Sequence, residues 1–185
     1  MKSALVLIDI QNEYFPGGKR ELHEPERAAR QAKKALEFFR AKGLPVFHIQ
    51  HIATGERANA FLPDTVGAEI HPLVAPIAGE TVLVKHAPNS FYLTGLDEAL
   101  RRAGAEQLVV CGMMSHMCID TSVRAAKDLG YPVLLLEDAC TTRDLEWGGE
   151  HIPAVTVHRA FMAALNGAFA RVVGTEDFLA EMERD

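Results

Sequence analysis

Three residues in this 185-residue chain stand where an apolar run gives way to polar sequence, and their chemistries complement one another. Asp9 follows ALVLI, Lys85 follows TVLV, and Cys118 comes after LVVC and the turn GMMSHM. In parallel α/β sheets ligands bind beyond the carboxyl ends of the strands, so these positions are the first candidates for a site. Singly, each has an ordinary structural reading. Asp9 could cap a helix or turn, Lys85 could be a strand-end lysine covering apolar surface with its stem, and Cys118 could be a small buried hydrophobe. Together they supply the parts of one mechanism. A thiol at the start of a helix has its pKa lowered by the helix's positive end, a nearby ammonium lowers it further, and a carboxylate within reach can take the proton. This is the nucleophile, base and electrostatic partner of covalent catalysis, with Asp in the place usually held by His. Cys111, inside an apolar strand, and Cys140, in the loop after one, have no lysine at hand and are read as structural.

The elements that must hold these residues alternate short β-branched apolar runs with longer stretches of helical period, the pattern of βαβ units. The sequence predicts strands over residues 4–8, 45–50, 81–84, 107–111, 132–136 and 170–173. Several are apolar at nearly every position, as parallel strands covered on both faces require. Helices are predicted over 24–42, ending at Gly43, over 96–102 behind a Thr94–Asp97 capping box, over 118–129, over 151–169, and over 176–184 with Thr175 as cap. The fold that follows is a three-layer α/β/α domain spanning residues 1–185. Residues 52–80 are too long for an ordinary connection and read as a binding loop or a subunit contact. TTRDLEWGGEHIP, within which residues 141–150 fall, reads as a loop over the strand ends, either a lid or an ordinary solvated loop.

Composition narrows the function classes. With 48% hydrophobic and 24% charged residues the chain is neither disordered nor a disulfide-stapled scaffold. Its three cysteines form no CxxC pair, which fits a reducing, cytoplasmic compartment. The net charge of -6 argues against a nucleic-acid partner, because binding to phosphates draws on clustered Lys and Arg. The opening MKSALVLIDIQNEYF is interrupted by Asp9 and lacks a small-residue cleavage site, and no run approaches the ~18 apolar residues of a membrane span. No membrane partner is expected.

LVLIDIQNEYF with Asp9, KHAPNSFYLTGLDEALRRAG with Lys85, GMMSHMCIDTSVRAAKDLGY with Cys118 and the following LLLEDACTTRD resemble, in this order, the isochorismatase-like cysteine hydrolase superfamily. That superfamily includes nicotinamidases, carbamoyl-amine amidohydrolases, streptothricin hydrolases and isochorismatases. The resemblance implies a Rossmann-like six-stranded parallel sheet of order 3-2-1-4-5-6 and a homo-oligomer, dimer or tetramer. It implies Asp9 as general base, Cys118 as nucleophile and Lys85 as the residue that polarises the site. It also implies a cis peptide between Met113 and Met114 that aims the backbone N–H groups of Met114 and Cys118 at an oxyanion. The expected reaction is hydrolysis of a C–N bond in a small non-peptide amide, carbamoyl or lactam-like compound through a thioacyl intermediate. Two alternatives stand beside it: vinyl ether hydrolysis of an isochorismate-like substrate with Asp9 as acid, and a catalytically idle oligomeric binding protein. The short sequence after the sixth strand leaves no carrier-protein domain, which disfavours the siderophore-pathway role.

Relatives that hold a metal do so with an aspartate and histidines on and after the second strand. Here that region reads VFHIQHIATGERANAF, with Gln50 and His51 where an Asp-x-His start would be expected, and His48, His51 and His71 as the available ligands. No carboxylate falls at a ligand-like spacing, so neither metal nor other cofactor is expected. This disfavours nicotinamide as substrate. Gln11, Phe15, Tyr92, His116 and Trp147 lie near the catalytic segments and are candidates to line the pocket, each with a core or interface role as its alternative.

Overall fold

The computed structural model describes residues 1–184. Six parallel strands form one sheet: β1 (Ser3–Ile8), β2 (Val46–His51), β3 (Thr81–Lys85), β4 (Gln107–Met113), β5 (Val133–Thr141) and, after a small hairpin, β8 (Arg171–Val173). Their order is β3-β2-β1-β4-β5-β8. The hairpin is β6 (Leu145–Trp147) paired antiparallel with β7 (Glu150–Ile152). Helices α1 (Pro25–Ala41) and α5 (Thr175–Met182) pack together against the sheet, Phe39 on Phe178 at 6.3 Å between ring centroids. α2 (Leu96–Arg102), α3 (Asp120–Asp128) and α4 (Ala154–Leu165) complete the helical layers. Every residue of β1 is buried, which explains why that strand carries no polar alternation.

Register fixes where the strands stop. Ile8 pairs with Ile49 of β2 and with Gly112 of β4, so Asp9 and the turn after β4 leave the sheet at the same level. His51 pairs with Lys85, which carries the lysine two residues past that level. The approach of β4 to β1 is so close that a Cβ on Gly112, at φ +131, would lie 2.0 Å from the Ile8 carbonyl oxygen. Only glycine fits there.

Four local expectations need correction. The helix predicted over 151–169 starts at Ala154, because WGGE forms a tight turn with Gly148 and Gly149 at positive φ, and His151 is a hairpin residue. The strand predicted over 132–136 runs on to Thr141 through a register shift that pairs Val110 with Leu135 but Gly112 with Cys140. In the shifted stretch the Asp138 carboxylate accepts from the Thr175 N–H and hydroxyl at 2.9 and 2.6 Å, so Thr175 is the first residue of α5 rather than its cap. The Thr94–Asp97 box does not form: Thr94 Oγ1 accepts from Leu96 N, while Asp97 accepts from Arg101 and the Tyr131 hydroxyl.

The segment 52–80 has little regular structure and is held at its end by a partly buried ionic cluster. Arg40 of α1 makes two bonds to Glu80 at 2.7 and 2.9 Å, His48 Nε2 lies 2.8 Å from the same carboxylate, and the Ile77 N–H donates to it. Burial would push the Glu80 carboxyl up, but the hydrogen bonds outweigh it and hold the group down at about 2. Glu80→Gln is therefore expected to lower stability by about 3 kcal/mol in urea unfolding at pH 7. Because the folded pKa is depressed, this contribution is present above the ordinary carboxylate value of ~4.3. The gap between wild type and variant should accordingly narrow as the pH falls from there toward 2.

Candidate active site

Lys85 is buried with its charge, and its ammonium is ion-paired with one side chain and hydrogen-bonded to two further groups. Nζ lies 2.8 Å from Asp9 Oδ2, both side chains being wholly buried, and donates to Cys118 Sγ at 3.2 Å and to the Ala87 carbonyl at 3.0 Å. The structure thus brings Asp9, Lys85 and Cys118 together from three separate strand ends. Asp9 leaves β1 in the left-handed region at φ 51, which Asp tolerates better than most residues. Cys118 sits in a π-helical turn (Ser115–Ile119) that leads directly into α3. The peptide between Met113 and Met114 is cis.

The electrostatics differ from the sequence reading in one respect. Burial pushes the Cys118 thiol up, the Asp9 carboxylate adds to this, and the Lys85 ammonium only partly opposes them. The thiol is therefore protonated at rest. The expectation of a lowered pKa weighed the helix end and the lysine but not desolvation. Burial also raises the Asp9 carboxyl, against the pull of Lys85. For Lys85 desolvation would lower the pKa, but Asp9 and Cys118 outweigh it and keep the ammonium charged. A carboxylate base beside a protonated thiol and a fixed cation can pass one proton between sulfur and oxygen without creating unpaired charge. Burial likewise pushes the Cys140 thiol up, to about 12, and raises Cys111 further, with no cation in contact with either.

Cys118 opens onto a cleft of about 610 Å³. Tyr14, Phe61, Pro88, Met114 and Met117 form its apolar wall, His51 lies beside them, and Lys19, Arg20, Glu21 and Arg143 form a charged rim. None of the five pocket candidates from the sequence lines this cleft. Gln11 is fully buried and serves as a clamp: its amide donates to the carbonyls of His51 and Ala68 and accepts from the His51 N–H. Phe15 stacks on His71 at 3.7 Å in a different depression. His116 shares a hydrogen bond with the Thr142 hydroxyl and turns its ring edge to Phe161. Tyr92 is 59% exposed, and Trp147 is 83% exposed on the hairpin. A second cleft of about 250 Å³, with His23, Cys140 and His158 in its lining, contains no member of the Asp9–Lys85–Cys118 group.

The cleft residues that sequence reasoning missed are Tyr14, Phe61, Pro88, Met117 and the charged rim, and Glu13 fixes one side of the cleft. Its buried carboxylate accepts from the Lys19 N–H at 2.7 Å and the Phe61 N–H at 3.3 Å, joining the turn after β1 to the segment 52–80. Gly67 is glycine for the same reason: a Cβ there would lie 2.4 Å from the Glu13 carboxylate. Tyr14 and Arg143 do fall inside the motifs LVLIDIQNEYF and LLLEDACTTRD, so a signal was present; for Phe61 there was none. His48, His51 and His71 do not converge, since His48 is bound to Glu80 and His71 is stacked on Phe15. Among the described residues no group of three His, Cys, Asp or Glu is placed to hold a metal ion, and no helix is long and apolar enough to cross a membrane.

The model of the isochorismatase domain matches residues 3–177, and the chain belongs to the isochorismatase family of hydrolases. It is 55% identical over 179 residues to the uncharacterized isochorismatase family protein YddQ of Bacillus subtilis, covering 97% of this chain and 99% of that one. Streptothricin hydrolase of Streptomyces noursei is 33% identical over 88% of this chain and 59% of its own length. Among solved structures, an isochorismatase from Pseudomonas putida superposes with a TM-score of 0.89 at 37% identity, over 95% of this chain and 89% of that one. N-carbamoylsarcosine amidase from Thermoplasma acidophilum gives 0.82 at 26% identity, over 95% and 97%.

Proposed function

We propose that the protein is a cysteine hydrolase that cleaves the C–N bond of a small non-peptide amide, carbamoyl or lactam-like compound. The observation that carries this reading is the single Lys85 ammonium in contact with both the Asp9 carboxylate and the Cys118 thiol, with Cys118 lining a cleft of small-molecule size. The activities in the names of streptothricin hydrolase and N-carbamoylsarcosine amidase support it.

In this mechanism Asp9 takes the Cys118 proton as sulfur attacks the carbonyl carbon, and Lys85 keeps the charge of the group balanced throughout. The developing oxyanion is held by the N–H groups of Met114 and Cys118, two donors fixed before reaction. Protonated Asp9 gives its proton to the leaving nitrogen, the C–N bond breaks, and a thioester remains on Cys118. Asp9 then takes a proton from water as the water oxygen attacks the thioester; the C–S bond breaks, Asp9 returns the proton to the departing sulfur, and the acid leaves.

The test is an ammonia-release screen over small amides, carbamoyl amines and nicotinamide, with and without chelator. Release that depends on Cys118 and is unaffected by chelator supports the reading. Hydrolysis of a vinyl ether with no ammonia release from any amide would overturn it, and so would nicotinamide turnover abolished by chelator. The pH dependence follows from the site: turnover needs Asp9 ionised and Lys85 charged. Because burial raises the Asp9 carboxyl, the acid limb of kcat/KM should lie above the ordinary aspartate value of ~3.9. Lys85 is also raised, so its alkaline limb should lie above ~10.4. An acid limb at or below the ordinary value would contradict a buried base.

A further inference from the structure

His51 is the one histidine of the eight whose ring makes no hydrogen bond or ion pair among the described residues. The other seven are committed, from His48 on Glu80 to His158 on Ser115. Yet His51 lines the same cleft as Cys118 and is firmly held. Gln11 binds both its N–H and its carbonyl, and its ring meets Phe61 edge-on at 5.5 Å. Its neighbour across the sheet, Lys85, donates to Cys118 and Ala87, is ion-paired with Asp9, and makes no hydrogen bond to the ring.

The ring has a definite sense. Nδ1 is buried and has no partner, so the cleft side of the imidazole presents Nε2. Burial, then the Lys85 charge, lower the pKa to about 4, so the ring is neutral near pH 7. A neutral imidazole carries one proton. An orphaned lone pair is tolerated inside proteins more readily than an orphaned N–H, and a lone pair suits the field of the Lys85 ammonium better. The proton therefore belongs on Nε2, facing the cleft.

We propose that His51 is a specificity-determining donor, whose Nε2–H binds an oxygen or nitrogen acceptor that the substrate carries close to its scissile carbonyl. The inference rests on the amidohydrolase reading and narrows it: the preferred substrates are small amides with a second polar atom, not hydrocarbon amides. The scissile oxygen is already provided for by Met114 and Cys118, so the His51 proton is free for another atom of the molecule. The charged rim lies outside this contact and is not needed for it.

The test uses a matched pair of probes, 2-methoxyacetamide and butyramide, which differ by an ether oxygen in place of a methylene. Ammonia release by the full-length protein gives the kcat/KM ratio of the first to the second. His51→Phe keeps an aromatic ring against Phe61 and removes the donor; it should lower that ratio about tenfold, chiefly through KM for the ether amide. His51→Gln, which offers an amide N–H at similar reach, should restore most of it. The rate of Cys118 alkylation by iodoacetamide and the Tm report whether each variant keeps its triad and fold. A ratio equal in wild type and His51→Phe, or a Gln variant no better than Phe, would overturn the inference while leaving the amidohydrolase reading intact. Absence of Cys118-dependent ammonia release from both probes and from every amide in the screen would remove that reading and the inference with it.

Discussion

Cys118→Ala should lower amide turnover by on the order of 10⁴-fold or more, measured as ammonia release, with the far-UV circular dichroism and Tm little changed. The side chain is buried but small, so the change removes a single sulfur atom and leaves the rest of the core in place. What is lost is the covalent route. The Tyr14 hydroxyl of the same cleft does not take its place: its pKa is raised well above the usual value, first by burial and then by Asp9 and Cys118. Cys118→Ser should be almost as inactive, since an alcohol beside Asp9 is a far weaker acid than a thiol. The same substitution separates the proposed activity from vinyl ether hydrolysis. Protonation of a vinyl ether by Asp9 needs no nucleophilic sulfur, so an ether hydrolase would keep most of its activity in Cys118→Ala. Full retention of amide turnover in the alanine variant would exclude the thioester mechanism.

Asp9→Asn should move two measurements in opposite directions. Turnover should fall by about 10³-fold, because the general base and the later proton donor are both gone. Alkylation of Cys118 by iodoacetamide at pH 7 should become faster. In the native site Asp9 raises the thiol's pKa and Lys85 lowers it. With asparagine the lowering influence is unopposed, and the thiolate fraction at a given pH increases. The variant also leaves a buried ammonium without its carboxylate, which should cost about 3 to 5 kcal/mol in denaturant unfolding. A loss of turnover alone would fit many roles for Asp9. Slower alkylation in the asparagine variant would show that Asp9 does not hold the thiol in its protonated form.

The sequence carried the frame of this protein further than its pocket. Strands such as ALVLI and LVVC are apolar throughout, a strong signal for buried parallel strands, and the polar residue that ends such a run stands at the sheet's functional edge. Asp9, Lys85 and Cys118 were legible for that reason. Cleft walls follow a different logic. Phe61 belongs to a segment with little regular structure, and its position is set by a bond to Glu13, 48 residues away. Gln11 looked like a pocket residue because it lies beside Asp9, but its amide is consumed in fixing the end of β2. The hairpin reads from the sequence as a loop over the strand ends, with only His151 and Ile152 assigned to the following helix, although GG between LEW and EHI is itself a turn signal. The direction of the Cys118 shift needed the burial of the thiol, which no local sequence pattern reports.

The three contacts of the Lys85 ammonium also set the order in which the site can come into being. Asp9 and Cys118 follow neighbouring central strands and meet once β1 and β4 pair, but Lys85 arrives only when the edge strand β3 docks beyond β2. Until then the aspartate is a carboxylate entering an apolar interior without its counter-ion, and it stays protonated or solvated rather than acting as a base. A nascent or partly unfolded chain therefore holds an ordinary thiol. Competence requires that edge strand, so catalysis itself reports that β3 is docked on β2.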